Sequence, residues 1–249
     1  MLKIKLLFSM LLLLAAATLN AQERSAFRSG YLRVGINTLG EDLDIILSPK
    51  QNIFNGNYGA SRGYVFEFGR IFYFGSKATK SIINLGLDWT ILSFNYNKLD
   101  KWEAYGNSNA SQNVYTDGTK IAGAISSKLG PVLSLNLIEK VVIDGRFQLA
   151  PMLRFYDFSY SANEGLPTEQ YFSFTNYAEE DLQDGFDAES VKNRLAFGIA
   201  RSIGVTLRRK TLGLSVDYVI GDVKSNYEAI VDGSATSGKI KIPAKNMQV

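Results

Sequence analysis

The chain has 249 residues, no cysteine, no histidine, 46% hydrophobic content and a formal charge of +3. The missing histidine and cysteine exclude disulfides, His-based general acid–base catalysis, Ser-His and Cys-His nucleophile pairs, and His/Cys zinc sites. The near-neutral balance, with no basic stripe carrying interleaved aromatics, points away from nucleic acid.

In chain order, Met1 to Ala21 reads MLKIKLLFSMLLLLAAATLNA. Lys3 and Lys5 precede an apolar core that is short for a membrane-spanning helix, the pattern of a secretory signal peptide cleaved after Ala21. No cysteine follows the core, so a lipid-anchored lipoprotein is excluded. The remaining 22–249 form one domain with 25 basic against 24 acidic residues. Gln22 to Gly30 is a short polar lead-in. Strand one is expected over Tyr31–Thr38, with Leu32, Val34 and Ile36 on one face and Arg33, Gly35 and Asn37 on the other. A long loop, 39–61, contains the turn-forming cluster Asn55–Gly59. Strand two, Arg62–Phe74, sets Tyr64, Phe66, Phe68, Phe72 and Phe74 against Gly63, Glu67 and Gly69, and a short turn follows over Gly75–Lys80.

Strand three, Ser81–Asn97, puts Ile83, Leu85, Leu87, Trp89 and Ile91 opposite Asn84, Gly86, Asp88 and Thr90. Its phase then flips at Ile91-Leu92, as a one-residue β-bulge makes it do. After a second long loop, 98–118, comes the most regular stretch of the chain, Thr119–Tyr156. Ile121, Ile125, Leu129, Leu133, Leu135, Val141, Ile143, Phe147, Leu149, Leu153 and Phe155 share one face. Lys120, Ala122, Ala124, Ser126, Lys128, Asn136, Asp144, Arg146, Gln148, Ala150 and Arg154 share the other. Successive strand side chains point to opposite faces, so this is a long hairpin with one oily and one polar face, turning near Leu137–Lys140. A third long loop covers 157–190. Strand six, Val191–Leu207, presents Leu195, Phe197, Ile199, Ile203, Val205 and Leu207 on the oily face, where Arg201 is out of place unless a local bulge turns it. Arg208–Lys210 form a tight turn. Strand seven, Thr211–Asp222, presents Leu212, Leu214, Val216, Tyr218 and Ile220 against Gly213, Ser215, Asp217 and Gly221. A fourth loop spans Val223–Ser237, and strand eight begins after Gly238.

Eight strands joined alternately by long loops and short turns, oily face outward, predict an all-β fold: an eight-stranded antiparallel up-and-down transmembrane β-barrel. The signal ending in Ala-Gln, the eight segments and the run KLGPVLSLNLIEKVVIDGRFQLAP at Lys128–Pro151 resemble the small outer-membrane β-barrel proteins of Gram-negative bacteria, of the OmpA and OmpX type. The resemblance covers the whole exported chain and is architectural. It implies residence in the cell outer membrane, contact with lipid and lipopolysaccharide, and a structural or surface-interaction role rather than catalysis. Such barrels end in an aromatic residue, whereas this chain ends Asn246-Met247-Gln248-Val249 with Pro243 inside the last segment. A final strand that is incomplete and closes poorly is therefore expected.

The alternation directs Arg33, Glu67, Asp88, Lys128, Asp144, Arg146 and Asp217 inward. An eight-stranded interior is just wide enough for side chains, and charges there must pair, so these seven are expected to form a structural network of ion pairs. A carboxylate pair of the glycosidase kind needs a sugar-sized cleft, which such an interior lacks. The 157–190 loop carries Glu164, Glu169, Glu179, Glu180, Asp181, Asp184, Asp187 and Glu189 without a basic residue. It lacks the spacing of an EF-hand calcium loop, and a solvated acidic surface accounts for it better. Its aromatics Tyr171, Phe172, Phe174 and Tyr177 either fold back over the mouth or face a partner. Loops 39–61, 98–118 and 157–190 are the expected partner-facing surfaces. Lys77, Lys80, Lys140, Arg208, Arg209 and Lys210 in the short turns suit anionic headgroups. Trp89, Tyr64, Phe74, Tyr96 and Tyr218 are candidates for interfacial girdles. No cofactor, metal or catalytic residue is expected. Two rival readings keep eight strands: a narrow pore for small solutes in the same membrane, and a soluble periplasmic lipocalin-like carrier with its oily face inside.

Overall fold

The computed structural model describes residues 27–75, 81–108, 113–138, 141–174, 194–231 and 233–249. The signal segment, Lys77, Lys80, Lys140, Tyr177 and the acidic run 179–189 lie outside them. Ten antiparallel strands make one sheet: β1 (Gly30–Leu39), β2 (Gly63–Tyr73), β3 (Ile83–Lys98), β4 (Tyr115–Ile138), β5 (Val141–Ala162), β6 (Gln170–Ser173), β7 (Leu195–Arg209), β8 (Leu212–Val231), β9 (Ser234–Pro243) and β10 (Asn246–Gln248). Eight of them form a ring in the order β1-β2-β3-β4-β5-β7-β8-β10, with β10 paired back to β1. Every neighbouring pair in the ring is antiparallel.

Period-two alternation explains the wall. Along β4 and β5 the residues Ala122, Ala124, Ser126, Lys128, Ser134, Asp144, Arg146, Gln148 and Ala150 are buried inside, while Ile125, Leu129, Leu133, Phe147, Leu149 and Leu153 are exposed outside. The phase flip in β3 is a bulge. Phe68 pairs with Leu92 and Gly69 with Thr90, leaving Ile91 as the extra residue, and the pairing with β4 shifts at the same place. Without it the upper and lower parts of β3 would present opposite faces. In β7 the alternation runs unbroken from Leu195 to Arg209, so no bulge turns Arg201 inward. It stands on the outer face between Leu149 and Ile220.

The ends of the strands differ from the sequence expectation. Strand β8 continues to Val231, through what reads as loop, because Val223 and Ser225 still point in while Lys224 points out. It turns back as β9 in continuous register, from Val231↔Ser234 to Asp222↔Pro243, and β10 keeps that register from Asn246↔Val219 to Gln248↔Asp217. Pro243 has no N–H, which divides β9 from β10 without shifting them. Instead of closing poorly, the ring is joined by Asn37↔Gln248, Thr38↔Met247 and Leu39↔Asn246, and by reciprocal backbone bonds between Ile36 and Val249 of 2.7 and 2.9 Å. Arg208 and Arg209 belong to β7, and the turn is Lys210-Thr211, with Lys210 at φ +56°.

The long connections are not bare loops. The 39–61 stretch holds helix α1 (Pro49–Asn55), opened by a capping box in which Ser48 Oγ accepts from Gln51 N and the Gln51 side chain accepts from Ser48 N. Gly56 ends it in the left-handed region at φ +87°, a conformation cheap for glycine. The 98–118 stretch holds helix α2 (Trp102–Ser108) and the first residues of β4. In the 157–190 stretch β5 extends to Ala162, and β6 pairs with β5 on one side and β8 on the other, filling the wall beyond the end of β7. At the opposite end Phe27 is fully buried against Val142 and Tyr73.

Candidate functional site

The ring interior has two parts. Toward the short-turn end lies a layer of charge, and the structure brings all seven inward-directed residues into it. Arg33 on β1 reaches Glu67 on β2 at 3.3 Å, Asp88 on β3 at 3.9 Å and Asp217 on β8 at 4.0 Å. Lys128 on β4 forms an ion pair with Glu67 at 2.6 Å and donates to Gln248 at 2.7 Å. Arg146 on β5 grips Asp217 with two nitrogens, Nε at 2.8 Å and Nη2, and also donates to Thr206 and Ser215. Asp144 on β5 is held by Arg208 on β7, Nε to Oδ2 at 2.6 Å, with Ser134 as a further donor.

Arg208 is the residue that sequence reasoning misplaced. The sequence places it in a solvent-facing turn with Arg209 and Lys210, yet it points inward and donates to both Asp144 and Tyr73. The signal was present: Ala196, Ala200, Ser202, Gly204 and Thr206 set an inward parity that Arg208 continues. With it the layer holds four cations (Arg33, Lys128, Arg146, Arg208) and four carboxylates (Glu67, Asp88, Asp144, Asp217), so the formal charge cancels. Uncharged partners complete it. Tyr31 Oη donates to Asp88 at 2.7 Å, and Gln148 donates to the Asp88 carbonyl at 3.2 Å. Each carboxylate lies beside a cation, and no cluster of three or more acidic groups able to hold a metal ion occurs among the described residues.

Toward the long-loop end the interior is aromatic. Trp102 of α2 is fully buried, packs on Tyr105, Phe158 and Tyr160 at 5.0 to 5.4 Å between ring centroids, and donates from Nε1 to the Tyr58 carbonyl at 2.9 Å. Tyr156 is stacked between Tyr58 (5.9 Å) and Phe174 (4.1 Å). Tyr58 Oη donates to the Pro243 carbonyl, and burial pushes that phenol well above its usual range. Phe172 and Phe174 are buried, so of the two readings for the aromatics of the 157–190 stretch these two fold back over the ring. The small inward residues Ala122, Ala124, Ala150, Ala196 and Ala200 leave space that these rings fill. Folding back of Phe172 and Phe174 is one of the two sequence expectations, but their meeting with Tyr58, Trp102, Tyr105 and Phe158 is not readable from sequence, because these residues come from three separate connections.

Between cap and wall stands Arg154, inward on β5 and 1% exposed. None of the ion pairs among the described residues includes it. Its guanidinium donates from Nη2 to Met152 Sδ at 3.6 Å, and Nε has no partner among the described residues. The Tyr156 ring lies 6.0 Å from its Cζ.

Outside, Tyr64, Phe74, Trp89 and Tyr218 are exposed, and Trp89 Nε1 donates to Ser127 Oγ at 3.0 Å. Tyr96 is half-buried. No helix of the described residues is long and apolar enough to cross a membrane, which says nothing of crossing by strands. No family model, no curated protein and no solved structure matches this chain.

Proposed function

We propose that this chain is an integral outer-membrane β-barrel of a Gram-negative cell, exported by its N-terminal signal. It spans the bilayer as an eight-stranded up-and-down barrel and acts structurally or through its long connections rather than as a catalyst. The observation that carries this reading is the apolar belt on the outer face. Every ring strand contributes: Val34, Tyr64, Leu85, Ile125, Leu149, Ile199, Leu214 and Met247 are 48 to 73% exposed. In water a belt of that extent is an aggregation surface, whereas in lipid it is the expected exterior. Its height fits. From Phe197 to Leu207 there are about ten residue steps of about 3.3 Å, which at a tilt of about 40° give about 25 Å. The outward Arg201 carries a long apolar stem, which lets it reach toward the headgroups. Arg209 and Lys210 at the short-turn end face the solvent, where anionic headgroups of the inner leaflet would meet them.

A lipocalin-like carrier needs the reverse arrangement, an oily interior and a polar exterior, and a pore needs a clear axis. Here the interior holds a neutralised charge layer and an aromatic cap. The test is cell fractionation with gel mobility of the detergent-refolded protein, unboiled against boiled. Protein in the outer-membrane fraction with a heat-dependent mobility change is the expected result. Protein released by osmotic shock with one mobility would overturn the reading.

A further inference from the structure

We propose that the outer face of β8 and β9 is a clamp for the phosphomonoester headgroup of a lipid, held by Lys224, Lys239 and Lys241 in the leaflet at the long-loop end. The inference rests on the membrane reading above and adds to it a place and a headgroup. Parity fixes the three side chains outward. On β9, Ile240 and Ile242 pack inward against the core, which leaves Lys239 and Lys241 exposed on the other face. On β8, Val223 and Ser225 are buried on either side of an exposed Lys224. Register then brings the lysines together. Lys224 pairs directly with Lys241, and Lys239 lies in the next row opposite Asn226. Directly opposed side chains on one face of an antiparallel pair have Cβ atoms about 5 Å apart, and like charges there repel. No ion pair relieves them. Asp222 and Glu228 stand in the rows to either side, yet none of the ion pairs among the described residues includes any of the three lysines. The row of Lys224 and Lys241 continues across β7 to Phe197, which is 58% exposed at the long-loop end of the apolar belt. The cluster therefore stands at the rim of the belt, at the depth where lipid headgroups begin. Three flexible ammonium groups suit an anion of more than one charge. A phosphomonoester carries about −1.5 to −2 near pH 7, a phosphodiester only a single charge, and lysine meets phosphate as a point charge from any direction.

The test uses the full chain refolded in an uncharged maltoside detergent, read by the temperature at which the unboiled gel band converts to the boiled one. Phosphatidic acid, phosphatidylglycerol and inorganic phosphate are titrated in turn. Phosphatidic acid is expected to give a saturable rise in conversion temperature, because it binds the folded ring alone. The diester lipid and free phosphate should give far less. Lys224→Gln/Lys239→Gln/Lys241→Gln should raise the half-saturating phosphatidic acid content by about tenfold or more, the loss of three cations beside an anionic headgroup. The corresponding triple arginine variant should keep the response. Arg62→Gln/Lys98→Gln removes exposed cations at the same end, beside β2 and at the end of β3, and should leave the response unchanged. Equal responses to the two lipids, an equal response to free phosphate, or equal losses in the two glutamine variants would overturn the clamp and leave the barrel reading standing. A parent without heat-dependent mobility would defeat both. The comparison of the three anions is made on the parent, so it stands even if the triple glutamine variant does not fold.

Discussion

Arg146 shows how one side chain ties the ring together. Its guanidinium spans from β5 to Asp217 on β8 and takes Thr206 and Ser215 along the way, with none of its charge facing water. Removing one partner of such a pair leaves the other buried and alone. Arg146→Met is therefore expected to lower unfolding free energy by about 3–5 kcal/mol, and adding Asp217→Met should recover most of that loss. Urea titrations followed by tryptophan emission measure both, and equal stability of the single and double variants would contradict the pairing argument. Space around the pair is equally constrained. A Cβ at Gly204 would sit 1.8 Å from Asp217 Oδ1 and 2.8 Å from Arg146 Nε, whereas one at Gly145, on the neighbouring strand, meets nothing within 4 Å. Gly204→Ala should cost about 1–3 kcal/mol, and Gly145→Ala should stay within about 0.5 kcal/mol of the parent.

Among the elements, β3 depends most on a single inserted residue. Ile91 lets Asp88 and Thr90 below it and Ser93 and Asn95 above it all point inward. Deleting Ile91 moves one half of the strand by one residue and sends its polar set to the outer face. The variant is expected to lose heat-dependent gel mobility altogether, and retention of a folded band would show that the bulge is dispensable. The bulge was legible because both halves of β3 alternate strongly and only the phase changes. Strand interiors and the seven inward charges were legible for the same reason. Arg208 was not, because three consecutive basic residues read as a turn while parity along β7 read as strand, and the tertiary partner Asp144 decided between them. Helix α1 had a readable signal in Ser48-Pro49-Lys50-Gln51, a capping box with proline in the first turn. The seven-residue helix behind it is too short for apolar periodicity to register. The aromatic cap had no local signal, since Tyr58, Trp102, Phe158 and Phe174 meet only after the ring has formed.

For the whole molecule, two stacked fillings close one axis: ion pairs toward the short turns, aromatic rings toward the long connections. Planar bilayers containing the refolded protein should stay electrically silent. Silence should persist in a Tyr58→Ala/Trp102→Ala protein, because opening the cap leaves the charge layer in place. Resolved conductance steps in the parent protein would show that the layer parts. The layout of that layer also bears on how the ring is assembled. Its charged members come from seven different strands, β1, β2, β3, β4, β5, β7 and β8, and Gln248 of β10 joins them through Lys128. Several links skip the adjacent strand: Glu67 with Lys128, Arg146 with Asp217, Arg33 with Asp88. A sheet of the first five strands, β1 to β5, would hold Asp144 without Arg208 and Arg146 without Asp217, in a setting where lone charge is tolerated poorly. Partly built rings are thus penalised from within until β7 brings Arg208 and β8 brings Asp217, the last two missing partners. Closure of this protein is accordingly a proofreading step, accepting the complete ring and rejecting its fragments.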